Sequence, residues 1–146
     1  ANIAARVPDS DRLHLLGFQK HMETIYPMFD LLTLTSLTEA YPMVLIEAMA
    51  CGLPCITTDV GDARLIIGDH GHVVPKGDPE AIVRAWDEWL ALSADWKQDE
   101  AVAIRQRAEE EFSVASCVGK YETLYKDLLG QTPAPPPEEL AEPATT

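Results

Sequence analysis

The stretch Leu31-Leu32-Thr33-Leu34-Thr35-Ser36-Leu37-Thr38-Glu39-Ala40-Tyr41-Pro42-Met43-Val44-Leu45-Ile46-Glu47-Ala48-Met49-Ala50-Cys51-Gly52-Leu53-Pro54-Cys55-Ile56-Thr57-Thr58 decides the fold. It opens and closes with short β-prone runs, and the segment between them reads as a loop followed by a helix. Pro42 fits the first helical turn, where a missing N–H costs nothing. Met43, Ile46, Glu47, Ala48, Met49 and Ala50 are mostly good helix formers. Gly52 reads as the residue just past the helix end, with Pro54 beyond it. Strand, loop, helix, strand is the unit of a parallel α/β sheet. Such sheets take ligands at the carboxyl ends of their strands, beside helix N-termini.

Two carboxylates bracket the junction of loop and helix. Glu39 lies just before the predicted helix and Glu47 inside it. In one continuous helix they would stand about 12 Å apart along the axis. With Glu39 in the loop, the chain can fold back so that both face one cavity. A carboxylate accepts two hydroxyl donors at once through strong charge-assisted bonds. The helix start beside Glu39 can hold an anion such as a diphosphate. One Glu for a sugar, one for a ribose and a helix start for phosphates describe a nucleotide-sugar site. The spacing alone is met equally well by a capping Glu39 and a Glu47 on a solvated helix face.

The segment Glu39-Ala-Tyr-Pro-Met-Val-Leu-Ile-Glu47-Ala-Met-Ala-Cys-Gly-Leu-Pro-Cys-Ile-Thr-Thr-Asp-Val-Gly-Asp62 closely resembles the nucleotide-sugar-binding segment of retaining GT-B glycosyltransferases of the group 1, family 4 type. That family carries a Glu, seven residues, Glu pattern, then Ala-Met-Ala-x-Gly-x-Pro and an Asp-x-Gly turn. The resemblance runs from about Leu13 to Leu129. It implies transfer of a sugar from a nucleotide diphosphate donor (UDP-, GDP- or ADP-sugar) with retention at the anomeric carbon, and with no cofactor or obligatory metal. By resemblance, Glu39 is the catalytic contact, holding donor-sugar hydroxyls near the reacting carbon, and Glu47 holds the ribose hydroxyls. The amides of Tyr41, Met43 and Val44 face the phosphates, Gly17 and Phe18 stand in the loop beside the base, and the amide of Gly61 approaches the donor. Stabilising the leaving diphosphate is then the main catalytic contribution. The chain departs from the family at Ala40 and Pro42, where glycine is usual or frequent, and at Asp62, which replaces the second glycine of the Asp-x-Gly turn. Glycines there let amides approach a ligand closely, and Pro42 removes one amide donor.

The remaining sequence sets the frame. A chain of 146 residues, 47% of them apolar, suits one domain with a buried core. Its net charge of −13 argues against nucleic acid and against a polybasic membrane anchor. No signal-peptide h-region and no bilayer-length apolar run is present. Three cysteines, an odd number, argue against a disulfide framework, so a cytoplasmic location is expected. Cys51 and Cys55 read as small buried residues rather than metal ligands. His14 reads as a core or edge histidine, His70 and His72 lack metal-site spacing, and Asp9-Ser10-Asp11 is turn and cap material.

Strands are expected at 13–17, 31–35, 54–58 and 72–75. They make an α/β fold with a partial doubly wound, Rossmann-like parallel sheet of about four strands, where such domains usually carry about six. Met22 to Phe29 reads as a short helix and Leu65 to Gly68 as a short helix or turn. Asp78 and Pro79 start a helix whose Ile82, Trp86, Trp89 and Leu90 share one face. A charged helix over 96–112 follows. Ser113 then caps a last helix through Leu129, with Val118, Tyr121, Leu124, Tyr125 and Leu128 as its apolar stripe. In the family that helix packs back toward the N-terminal domain. Residues 131–146, rich in Pro, Ala, Glu and Thr, are expected to be disordered.

Residues 1–130 thus read as the second half of a GT-B donor-binding domain. The Gly-Arg…Lys-Gly region whose cations grip the diphosphate and the N-terminal acceptor domain are missing. The isolated chain is accordingly expected to be inactive or nearly so. An open sheet edge at 13–17 predicts self-association, and any peripheral membrane contact would run through the absent domain. The rival reading is a degenerate nucleotide- or sugar-binding or interaction module that keeps only the fold, favoured by Ala40 and Pro42. An epimerase or phosphorylase relative fits the Ala-Met-Ala-Cys-Gly-Leu-Pro context less well.

Overall fold

In the computed structural model, which describes residues 10–130, the stretch around Glu39 forms the predicted strand, loop, helix and strand. A short helix α1 (Met22–Ile25) and a 3₁₀ turn (Tyr26–Met28) lead into β1 (Leu32–Leu34). Then follow α2 (Met43–Ala50), β2 (Cys55–Thr58), α3 (Ala63–Ile67), β3 (Gly71–Val74), α4 (Pro79–Leu90), α5 (Ala94–Phe112) and α6 (Val114–Leu128). The strands are parallel in the order β1-β2-β3, with Leu32 opposite Cys55 and Cys55 opposite Gly71. Each pair is joined by a crossover helix, as parallel pairing requires.

β2 is central and all four of its residues are buried. Its alternation feeds two cores. Cys55 packs with Leu45, Met49, Ile66, Ile67 and Ile104 from α2, α3 and α5. Ile56 packs with Val74, Ala81 and Ala85 beneath α4. Helices therefore cover both faces, the arrangement in which a parallel sheet is stable. The two buried threonines are both satisfied by backbone carbonyls: Thr57 Oγ1 donates to the Thr58 carbonyl at 3.1 Å and Thr58 Oγ1 to the Ser36 carbonyl, 22 positions away, at 2.6 Å.

α2 buries Leu45, Ala48 and Met49 at i, i+3 and i+4 spacing, against the sheet on one side and α5 on the other. It ends as the glycine predicts. Gly52 has φ +74, its amide bonds the Met49 carbonyl at 2.8 Å, and the Leu53 amide reaches back to Ala48 at 3.0 Å. This double bond pattern satisfies carbonyls the helix end leaves open. Cys51 is half-buried and Cys55 buried, both as free thiols.

Four expectations need correction. The segment 13–17 is not a strand, so the sheet has three strands among the described residues rather than about four. Leu15 and Leu16 are exposed. A strand needs a neighbour to take its backbone groups, and neither edge of the sheet pairs with this segment. The predicted association edge there therefore does not form, and His14 is exposed rather than in a core. Pro42 is the residue before the helix, with ψ 90, and α2 begins at Met43. On α4 the buried face is Ala81, Ala85 and Trp89, while Trp86 and Leu90 are exposed. The small alanines let the helix approach the sheet, which leaves the larger side chains at the margin. Asp78 caps α4 as predicted, accepting from the Ala81 amide at 2.9 Å. Ser113 likewise caps α6, accepting from the Ser116 amide at 3.1 Å. The tail expected to be disordered, 131–146, lies outside the described residues.

Candidate functional site

The carboxyl ends of β1 and β2 open into two loops, 35–42 and 59–62, and backbone contacts join them. The Asp62 amide donates to the Ala40 carbonyl at 2.9 Å. Gly61 has φ +48, and a Cβ there would collide with the carbonyl oxygens of Ala40 and Glu39. Only glycine permits this approach without strain. The Thr58 hydroxyl bonded to the Ser36 carbonyl closes the other side of the pair.

Glu39 is exposed on this crest, and Ser36 Oγ donates to its Oε1 at 2.7 Å. Pro42 is buried beneath it, and α2 starts at once. Among the described residues, four helices have eight residues or more. α4, α5 and α6 are each capped by a side chain, from Asp78, Ser93 and Ser113. α2 has no side-chain cap. The first amides of a helix have no intrahelical partner, so Met43 and Val44 present theirs at an uncapped, electropositive helix end. Tyr41 and Met43 are exposed and Val44 is half-buried. Tyr41 also walls a groove of about 470 Å³ shared with Leu65, Lys120 and Tyr121.

Glu47 lies one turn into α2, exposed, and Tyr26 OH donates to its Oε2 at 3.0 Å. Tyr26 itself is only 2% exposed. Burial, and then the bond to Glu47, push its phenol up to about 12. Burial alone lifts the Cys55 thiol to about 12. Both groups stay protonated at neutral pH.

The structure brings Glu39, Tyr41, Met43, Val44 and Gly61 to one end of the sheet, with Glu47 on the helix that starts there. It does not bring Gly17 and Phe18 against them. Phe18 is 88% exposed, and a Cβ at Gly17 would meet nothing within 4 Å. Two residues join the site that sequence reasoning did not single out. Ser36, three residues before Glu39, carries the signature of a Ser-x-x-Glu pair and was findable. Tyr26, an aromatic ahead of a strand, gives no signal beyond that of an ordinary core residue. No group of three His, Cys, Asp or Glu able to hold a metal occurs among the described residues. No helix there is long and apolar enough to cross a membrane.

Three parallel strands in an open sheet, with helices on both faces, match the fold of GT-B glycosyltransferases. Residues 2–91 match the family described as Glycosyl transferases group 1, and the chain belongs to that family. It is 37% identical over 123 residues to the N-acetyl-alpha-D-glucosaminyl L-malate synthase of Bacillus anthracis, covering 82% of this chain and 32% of the synthase. It is 26% identical over 122 residues to the UDP-Gal:alpha-D-GlcNAc-diphosphoundecaprenol alpha-1,3-galactosyltransferase of Escherichia coli, covering 81% of this chain and 30% of that enzyme. Among solved structures, sucrose-phosphate synthase from Thermosynechococcus elongatus superposes with a TM-score of 0.71 at 27% identity, over 84% of this chain and 31% of that one. Anabaena HepE in complex with UDP-glucose superposes with a TM-score of 0.65 at 23% identity, over 76% of this chain and 31% of that one, a likeness of fold. The chain thus spans about a third of the length of these relatives.

Proposed function

We propose that this chain is the donor-binding part of a retaining glycosyltransferase that uses a nucleotide diphosphate sugar. The observation that carries the reading is the start of α2, which has no side-chain cap, with Glu39 just before it and Glu47 one turn in. Its first amides suit a diphosphate, and the two carboxylates suit hydroxyl-rich groups on either side. The family supports transfer chemistry. HepE, whose fold this chain shares, holds UDP-glucose, and the galactosyltransferase relative is named for a UDP-linked donor.

In this reading Glu39, steadied through one oxygen by Ser36, accepts hydroxyls of the donor sugar near the reacting carbon. Glu47 accepts the ribose hydroxyls. The amides of Tyr41, Met43 and Val44 meet the diphosphate, and the Gly61 turn forms the floor. Negative charge grows on the diphosphate as its bond to the sugar breaks, and preorganised amides favour that state over the ground state. Retention rests on the resemblance of the Glu39 to Glu47 segment to retaining enzymes.

A second reading, a degenerate module that keeps the fold, draws on Pro42. It has no amide to offer and is buried where family members often carry glycine.

Calorimetric titration with UDP, GDP, UDP-glucose and GDP-mannose, repeated on Glu47→Gln, separates the two. The donor-site reading expects one nucleotide series to bind and to weaken by about tenfold or more in the variant, the value of a hydrogen bond to a charged group. Absence of binding in both series favours the degenerate module.

A further inference from the structure

We propose that Tyr26 is a positioning residue for Glu47, fixing the carboxylate in the one orientation from which it accepts the hydroxyls of a ribose. The inference rests on the donor-site reading and adds a residue to it. Glu47 projects from the exposed side of α2. An exposed Glu samples several rotamers, and holding one costs side-chain entropy that binding must otherwise supply. Tyr26 removes that freedom beforehand. Its ring is 2% exposed and packs in the cluster that contains Leu45, Met49 and Cys55. Pro27 stiffens the turn that carries it. A ring so enclosed cannot swing away, so its hydroxyl is a fixed point, 3.0 Å from Glu47 Oε2.

The bond occupies one acceptor direction of Oε2. Oε1 and the second lone pair of Oε2 remain, a pair of acceptors matched to neighbouring hydroxyls. The phenol stays a donor through the neutral range, because burial and Glu47 together hold it near 12. Phenylalanine would fill the same space in the core but leave the carboxylate unsteered.

The test compares ribonucleotides with nucleotides that lack the ribose hydroxyls. UDP and GDP, and their 2′,3′-dideoxy counterparts, are titrated by NMR into the wild-type chain, Tyr26→Phe, Glu47→Gln and the double variant. Tyr26→Phe is expected to weaken the ribonucleotide about threefold to tenfold, the value of one modest hydrogen bond, and to leave the dideoxy form unchanged. On top of Glu47→Gln it should have no further effect. If Glu47→Gln erases the preference for the ribonucleotide while Tyr26→Phe weakens both forms equally, or neither, Tyr26 is merely structural and the proposal is overturned. If Glu47→Gln leaves that preference intact, or the wild type binds none of the nucleotides, the donor-site reading falls and this inference with it. A ligand-free check serves if Tyr26→Phe fails to fold: titration of the assigned Tyr26 ring resonances by NMR in Glu47→Gln, which reads this one phenol among the chain's four tyrosines. The phenol should drop from about 12 toward the ordinary 10.0 but stay above it, since burial is the larger cause. An unchanged titration would mean that the bond to Glu47 is not made, and would overturn the proposal.

Discussion

α2 and α6 both carry apolar side chains along one face and end in opposite situations. α2 has eight residues, and Leu45, Ala48 and Met49 are fully buried. α6 has fifteen, none of them buried, although Val118, Tyr121, Leu124, Tyr125 and Leu128 line one face. The difference is in neighbours. α2 lies between the sheet and α5, which meets it through Ile104 and Ala108. α6 turns away at Ser113 and leans mainly on the end of α5, where Lys120 Nζ binds the Glu111 carboxylate at 2.8 Å. An apolar stripe states which face a helix would bury; another element decides whether it is buried.

Three substitutions break or sharpen that contrast. The largest effect is expected from Leu45→Ala on α2, a loss of about 3 kcal/mol in urea-induced unfolding, because the side chain is completely enclosed and its cavity cannot collapse between sheet and α5. A loss below about 1 kcal/mol would mean that α2 packs more loosely than its burial indicates. Gly61→Ala, in the turn beneath the start of α2, should cost about 2 kcal/mol in the same measurement, since it combines a left-handed backbone with a collision at the Ala40 carbonyl. Leu124→Ala on α6 should change stability by no more than about 0.5 kcal/mol, as exposed side chains do. A larger loss would show that the stripe of α6 is covered in solution.

The same contrast explains what could be read from sequence. The β1-α2-β2 unit was legible because its signals are local: β-prone runs at each end, helix formers between them, and Gly52 in the conformation that stops a helix. Asp78 before Pro79 and Ser113 before α6 were legible for the same reason. The error at 13–17 was non-local. Leu13-His14-Leu15-Leu16 has a strand's composition, but pairing depends on an edge elsewhere in space. The α4 face was misjudged because bulk was taken as the sign of burial, whereas Ala81 and Ala85 make the close approach. In the site, Glu39 and Glu47 stood out by spacing and resemblance. The contact from Tyr26 to Glu47 crosses 21 positions of chain and left no pattern.

The crest that carries Glu39 is held mostly by main-chain atoms, the Ala40 carbonyl to the Asp62 amide and Gly61 seated against Ala40, together with the buried Thr58 hydroxyl on the Ser36 carbonyl. Its shape therefore depends little on the side chains it displays. Ala40 and Asp62 can be exchanged for other residues without moving the loops that bear them, provided Gly61 stays. Such a scaffold separates the evolution of preference from the evolution of form. A lineage can retune what the crest holds by point changes at its rim, while the backbone frame passes unaltered from one specificity to the next.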